Sequence, residues 1–318
     1  MVTLFTDSRM ATHVPPRGHP ERPERLEAVL RHLARTGIAH TCPAGKVREA
    51  TDAEILRVHT PHHLELLKQT ERSGGGQVET DTWMSQGSLL SARLAAGAAI
   101  EAVGAVVQGT AQRAACLVRP PGHHALADSP MGFCLFANVA IAATHAFEVL
   151  DLRRVLVVDF DVHHGNGTQD LFYDDARLGF LSIHRYPFYP GTGAADETGT
   201  RSALGTKCNI PLPYGVSRRE YHAAFASGLE KLADTLRPEL VLISAGFDAH
   251  AEDPVGDLGL EVEDFVTMTE LIGEVADVHC EGRIVSVLEG GYNVPILAGC
   301  VAAHLEALGA EPLPPGSR

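Results

Sequence analysis

Five short apolar runs limit what this chain can fold into. They are AACLV (114–118), RVLVVDF (154–160), LGFLSI (178–183), ELVLISA (239–245) and RIVSVL (283–288). Each is rich in Val, Ile or Leu, and none alternates apolar with polar residues. That is the pattern of a strand covered on both faces. Helical periodicity marks 21–37, 88–109, 217–237 and 262–280, and the mostly apolar stretch 136–150 predicts a buried helix. Strands alternating with helices predict an α/β fold with a parallel sheet. The chain has 318 residues and is 45% hydrophobic, enough for one large core or two ordinary domains. No linker or repeat divides it, so a single domain over 1–318 is expected. The glycine run RSGGGQ (72–77) reads as a loop between helices.

The residues just after each run point to function. CLV leads into RPPGHH, VVDF into DVHHGNG, LSI into HRYPFYPGTG, LISA into GFDAH, and VSVL into EGGY. In open α/β sheets the ligand site lies beyond the carboxyl ends of the strands. The five clusters are therefore expected to meet at one edge of one sheet.

Bulk properties narrow the partners. The net charge of −14 argues against direct nucleic-acid binding and suits cationic substrates, although solubility alone explains most of those carboxylates. The six cysteines (42, 116, 134, 208, 280 and 300) form no C-x-x-C pair. A reducing compartment, the cytoplasm, is expected. MVTLFTDSRM carries no signal-peptide pattern, and no membrane partner is expected.

Ionised groups are costly to bury unless paired or bound to metal. The D-x-D-x-H-H spacing of 159–164 therefore needs an explanation. Asp161 and His163 are two apart at a strand end and point to one side. Asp248 in SAGFDAH is the best third ligand. One imidazole and two carboxylates leave room for water, as in a catalytic site. Zinc is favoured, with Fe(II), Co(II) and Mn(II) also compatible with those ligand types.

His123 and His124 follow a stiff Pro-Pro approach and a glycine, so both rings can face one cavity. Asp159 is placed to partner one of them, and Asn166 to orient the other without adding charge. A plain surface pair is the better reading for His62 and His63, which lie in a polar helical stretch. Tyr292, after two glycines, can donate to a developing oxyanion. Phe133 and Phe188 come from separate loops and can wall a slot for an alkyl chain, with core packing as the alternative for either. These parts make a metal-water hydrolase. No G-x-S-x-G elbow or G-x-x-x-x-G-K-[ST] loop competes with that reading.

The motifs RPPGHH, GFCLFANVA, VVDFDVHHGNGTQ, YPGTGA, LISAGFDAH and LEGGY resemble, in that order, those of the histone deacetylase superfamily. GHPERPERL (18–26) and VHTPHHLELL (58–67) fit as well, and the SAGFDAH and LEGGY forms look like the class II branch. The resemblance covers almost the whole chain. It implies an arginase/deacetylase-type α/β fold with a central eight-stranded parallel sheet flanked by helices. It implies zinc on Asp161, His163 and Asp248, His124 as general base, and His123 as its electrostatic partner. Asp159 and Asn166 match the dyad partners, and Tyr292 the carbonyl-polarising tyrosine. Phe133 and Phe188 match the tunnel walls, Asp81 in ETDTWMS the rim aspartate, and Gly132 and Gly290 count with the substrate-binding positions. A structural potassium ion is implied near Asp159, Asp161, His163 and Ser182. Ala137 departs from the family, which often has asparagine in FNNVA.

The expected substrate is an acylated lysine or a related acylated amine, with acetylpolyamines as the alternative. Glu289 is the family position nearest the pocket for sensing a second amine. A homo-oligomer is compatible with the sequence. An arginase-like two-metal site needs a further bridging carboxylate, but His164, Gly165 and Asn166 follow His163. An inactive acyl-lysine-binding module would be signalled by a missing ligand or tyrosine, and all are present.

Overall fold

The apolar runs become neighbours in one parallel sheet. The structure is a computed structural model that describes residues 1–313, so the expected domain's last five positions, 314–318, lie outside the described residues. Its strands are β1 (Val2–Phe5), β2 (Gly75–Gln77), β3 (Trp83–Ser85), β4 (Arg113–Cys116) and β5 (Val155–Asp159). They continue with β6 (Leu178–Arg185), β7 (Lys207–Leu212), β8 (Leu240–Ala245) and β9 (Ile284–Leu288). Seven form a parallel sheet in the order β1-β4-β9-β8-β5-β6-β7. The inner strands β5, β8 and β9 are buried at every residue, as their non-alternating sequences require.

The structure corrects two expectations. Eight strands were implied, and among the described residues the sheet has seven. Beside β1 runs Pro43–Gly45, joined by Leu4 N–H to Pro43 O and Gly45 N–H to Leu4 O, both 2.8 Å. This makes a single bridge between Leu4 and Ala44. Pro43 has no N–H to extend the ladder, so no eighth strand forms there. The RSGGGQ loop also contains β2, which pairs antiparallel with β3 in a separate two-stranded sheet. Glycines keep the β2 backbone bare enough for that close pairing.

The helices are α1 (Glu24–Thr36), α2 (Ile38–Thr41), α3 (Asp52–Ile55), α4 (Pro61–Arg72) and α5 (Ser88–Val107). They continue with α6 (Asn138–Glu148), α7 (Asn166–Leu171), α8 (Arg218–Leu236), α9 (Val262–Cys280) and α10 (Val294–Ala307). Helices α5 and α6 pack on each other, while α8, α9, α10 and α1 pack in sequence around the sheet. Among the described residues α5 alone is long and apolar enough to cross a bilayer, and 67% of that stretch is buried inside the fold. His63 is a further correction. His62 is exposed, but His63 is fully buried on the inner face of α4. There it stacks on His59 at 4.5 Å and hydrogen-bonds Leu135 O through Nε2 at 2.8 Å.

Histidines that burial holds neutral are expected to cost this fold stability in acid. His59 Nδ1–H donates to Leu126 O, and its Nε2 accepts from Ala137 N–H, both at 2.9 Å. His304 sits between Thr269 Oγ1 at 2.6 Å and Ser286 Oγ at 2.8 Å. Burial pushes both rings down to about 3. In the unfolded chain a histidine takes up its proton near pH 6.5, a value of about 6.5 being ordinary. Between these limits the unfolded state binds more protons, so stability falls as pH falls. Each ring then removes about 1.4 kcal/mol per pH unit, or about 2 kcal/mol by pH 5. Urea unfolding is expected to give a clearly lower midpoint at pH 5.0 than at pH 7.5. His304→Gln is expected to flatten that slope by one histidine's share. An unchanged slope would refute the role of His304.

Candidate active site

Strand β5 drives four buried valine and leucine residues straight into Asp159. Past Asp159 the strand ends and the chain bends through 161–163. Asp161 N–H donates to Asp159 Oδ1 at 3.1 Å and His163 N–H to Asp161 Oδ1 at 2.9 Å, so the three side chains are held together by these local bonds rather than by strand period. Neighbouring β8 delivers Asp248 three residues past its end. Asp161, His163 and Asp248 then form the one group among the described residues suited to hold a metal, with donor atoms within 4.8 Å of one another. His163 Nδ1 lies 3.0 Å from Asp161 Oδ1 and 3.2 Å from Asp248 Oδ2. All three residues are buried.

The donor set fits a cation. Asp248 Oδ1 accepts Val162 N–H at 2.9 Å, but Oδ2 is buried without a hydrogen-bond partner. Burial, and then the charge of Asp161, push the Asp248 carboxyl up to about 7. Burial opposes charge on His163, but the two carboxylates outweigh it and raise the ring to about 9. The cluster thus keeps protons that a bound cation would displace. Gly290 completes the cradle. A Cβ there would lie 2.2 Å from Asp248 Oδ2 and 2.5 Å from Asp161 Oδ2, so only glycine fits.

The two adjacent histidines arrive from the segment after β4, and their rings lie 3.9 Å apart. His123 Nδ1 meets Asp159 Oδ2 at 3.0 Å, and His124 Nδ1 meets Asn166 Oδ1 at 2.7 Å. Their electrostatics diverge as their partners do. Burial disfavours charge on His123, but Asp161 and Asp159 overcome it and hold the ring well above its ordinary range. Burial, reinforced by His123 and His163, holds His124 well below it. Gly132 lets the opposite loop close on this pair, since a Cβ there would sit 2.3 Å from His124 Cδ2. Ala137 is buried just before α6, and the next residue, Asn138, braces the histidine segment by donating to Pro120 O at 3.2 Å.

Tyr292 follows β9 and is 7% exposed. Its ring packs edge-on against Phe133 at 5.7 Å, and the Arg25 guanidinium lies 4.9 Å from its centroid. Burial raises the phenol well above its ordinary range, keeping it protonated as a donor. Arg25 also donates to Gly291 O at 2.6 Å and Glu289 O at 2.5 Å, fixing the loop that carries Tyr292. Sequence reasoning missed Arg25. The available signal was Glu21 four residues earlier, which pairs with it at 3.4 Å inside the protein.

Phe133 and Phe188 both lie at the site, and Tyr189 joins them. Phe133 stands beside Tyr292, in the left-handed region at φ 68°, with its N–H donating to Thr82 Oγ1 at 3.0 Å. A non-glycine residue held there signals an over-determined loop. Phe188 stacks on His163 at 5.3 Å, with the Arg185 guanidinium 4.2 Å from its centroid. Tyr189, passed over in favour of its neighbour, meets His124 edge-on at 5.3 Å and is 37% exposed. Asp81 is half-buried next to Thr82, whose hydroxyl donates to it at 2.9 Å. Ser182 is buried, pairs in register with Asp159 across β5 and β6, and bonds His184 Nδ1 at 2.9 Å. Glu289 does not face a substrate amine. It is fully buried and accepts Gly122 N–H at 2.6 Å and His123 N–H at 3.2 Å, because its position at the end of β9 turns the side chain under the histidine segment.

The comparisons with known proteins agree with this architecture. The histone deacetylase domain family matches residues 19–308. Histone deacetylase 15 of Arabidopsis thaliana is 38% identical, over 96% of this chain and 56% of its own length. The polyamine deacetylase HDAC10 of Homo sapiens is 40% identical, over 93% of this chain and 45% of its own length. The histone deacetylase-like amidohydrolase of Pseudomonas aeruginosa is 38% identical, over 92% of this chain and 77% of its own. The chain therefore spans about half the length of the first two relatives. A crystal structure of the HDA15 HD domain gives a TM-score of 0.91 at 36% identity, covering 97% of this chain and 91% of that one. With domain and fold both matched over most of its length, the chain belongs to the histone deacetylase family.

Proposed function

We propose that the chain is a zinc-dependent deacylase that hydrolyses N-acyl-lysine or a related acyl-amine. The observation that carries this is the buried convergence of Asp161, His163 and Asp248 beside the His124–Asn166 pair. Asp161, His163 and Asp248 would hold the ion. Zinc, when bound, acidifies water and polarises an amide carbonyl.

The chain's own groups supply the rest. Asn166 Oδ1 accepts from His124 Nδ1–H, which leaves His124 Nε2 free to take a proton from water and return it to the leaving amine. Held low by burial, His124 is neutral and ready for the first of these transfers. Held charged by Asp161 and Asp159, His123 adds positive potential beside it. The Tyr292 hydroxyl donates to the developing oxyanion. Phe133, Phe188 and Tyr189 exclude water around the alkyl chain, and Asp81 receives the substrate backbone at the rim.

A potassium ion near Asp159, Asp161, His163 and Ser182 belongs to the same reading, supported by the Asp159–Ser182 pairing. Six free thiols suit a reducing cytoplasm. An acetylpolyamine substrate is the second reading, favoured by the likeness to the human polyamine deacetylase. A side-by-side kcat/KM with zinc-loaded protein separates them. A preference for acetyl-lysine peptides over N-acetylputrescine and N-acetylspermidine, about tenfold or more, is expected, tenfold being about 1.4 kcal/mol of differential transition-state binding. The reverse preference would assign the polyamine activity, and turnover of neither class with metal bound would overturn the proposal.

A further inference from the structure

Asp253 has no part in the chemistry described so far, yet it joins two segments of the site. It follows Asp248 by five residues and is 7% exposed. Its Oδ1 accepts Val255 N–H at 2.9 Å and Gly256 N–H at 3.1 Å. Its Oδ2 accepts Tyr292 N–H at 2.6 Å and Asn293 N–H at 3.1 Å. The first pair folds back the segment behind Asp248, where Asp257 N–H donates to Asp248 O at 2.8 Å. The second pair lies just ahead of α10, where backbone N–H groups lack intrahelical partners and favour an anion. Asn293 Nδ2 closes the junction by donating to Glu252 O at 2.8 Å.

Tyr292 needs such an anchor. Two glycines precede it, and Gly291 has φ 114°, so on that side the backbone is held by hydrogen bonds such as Arg25 to Gly291 O rather than by side-chain sterics. The Tyr292 N–H itself is held by Asp253. Neither Tyr292 nor Asn293 lies in a helix or strand. We infer that Asp253 is a positioning residue. Its carboxylate pins the backbone at Tyr292 and so holds the phenol beside the Asp161–His163–Asp248 cluster. The inference rests on the deacylase reading for its kinetic consequence, and on the hydrogen bonds alone for its structural one. Oxyanion donors work only when pre-placed, and a displacement of about 1 Å removes roughly 10²-fold in rate.

The test has two arms. In the unaltered protein, hydrogen exchange at the Tyr292 and Asn293 amides is expected to be slowed roughly 10²-fold relative to an unstructured chain. Asp253→Asn offers one acceptor oxygen and sets an NH₂ group against the other amide pair. It is expected to speed exchange at those amides, keep the bound zinc, leave KM within about twofold and lower kcat roughly 10²-fold. Combined with Tyr292→Phe it is expected to add almost nothing, because both act through one phenol.

Unprotected amides in the unaltered protein would overturn the inference, and that result needs no folded variant. So would a variant kcat within threefold of the original, losses that multiply in the double variant, or loss of zinc. If the unaltered protein turns over no acyl-amine, the deacylase reading fails by itself. The exchange arm then still decides whether Asp253 pins the segment.

Discussion

Asp248→Asn is expected to abolish zinc retention and reduce kcat/KM by roughly 10³-fold or more. A bound cation contributes several kcal/mol to the transition state, and about 1.4 kcal/mol is a factor of ten. Three side chains supply the donor atoms here, so removal of one leaves a pair that cannot define a catalytic geometry. The substitution is nearly isosteric and preserves the acceptor for Val162 N–H. It relieves the repulsion with Asp161 but also removes one of the two carboxylates that pair with the His163 ring, 3.2 Å from Asp248 Oδ2. The two effects oppose each other, so the chelated variant is expected to melt close to the chelated original. Added zinc is expected to raise the melting temperature of the original and not of the variant, because ligand stabilisation follows occupancy. Metal content after dialysis, paired melting curves and kcat/KM check this. A fully active variant with one zinc per chain would sink the assignment of the ligand set.

Tyr292→Phe is expected to separate chemistry from binding. The phenyl ring keeps its edge contact with Phe133 and its place under the Arg25 guanidinium, so fold and metal content are expected to persist. What disappears is one hydroxyl donor, protonated because burial raises it far above neutral pH. Loss of a pre-placed oxyanion donor lowers kcat about 10²- to 10³-fold. KM is expected to move little, since the bond matters most as charge develops. A kcat within a few-fold of the original would remove Tyr292 from the mechanism and transfer its role to another donor.

The sequence by itself determined the chemistry at the strand ends. Non-alternating apolar runs identified β4, β5, β6, β8 and β9, because burial on both faces writes itself into consecutive residues. The spacing of Asp159, Asp161 and His163 was readable because it is local in the chain, although local hydrogen bonds rather than strand period hold the three together. That Asp159 and Asn166 would each partner one of the two histidines was also readable, while the structure decided which takes which, His123 with Asp159 and His124 with Asn166.

Other features depend on residues distant in the chain, and only the tertiary structure decided them. The edge strands β1 and β7 escaped notice because β1 is four residues long and β7 contains Lys207, Asn209 and Pro211. Lys207 is tolerated in β7 because its ammonium is buried against Leu178 O at 2.7 Å. Among the described residues the sheet has seven strands, and Pro43, beside β1, has no N–H with which to extend the single Leu4–Ala44 bridge into an eighth. Tyr189 meets His124 while Phe188 stacks on His163, a division that depends on the path of one loop. Glu289 supports a backbone instead of greeting an amine, and Asp253 reaches Tyr292 across 39 residues of sequence. Periodicity reports which side of an element is buried. It carries no information on which distant loop will lie against it, and that contact is settled only when the whole sheet assembles.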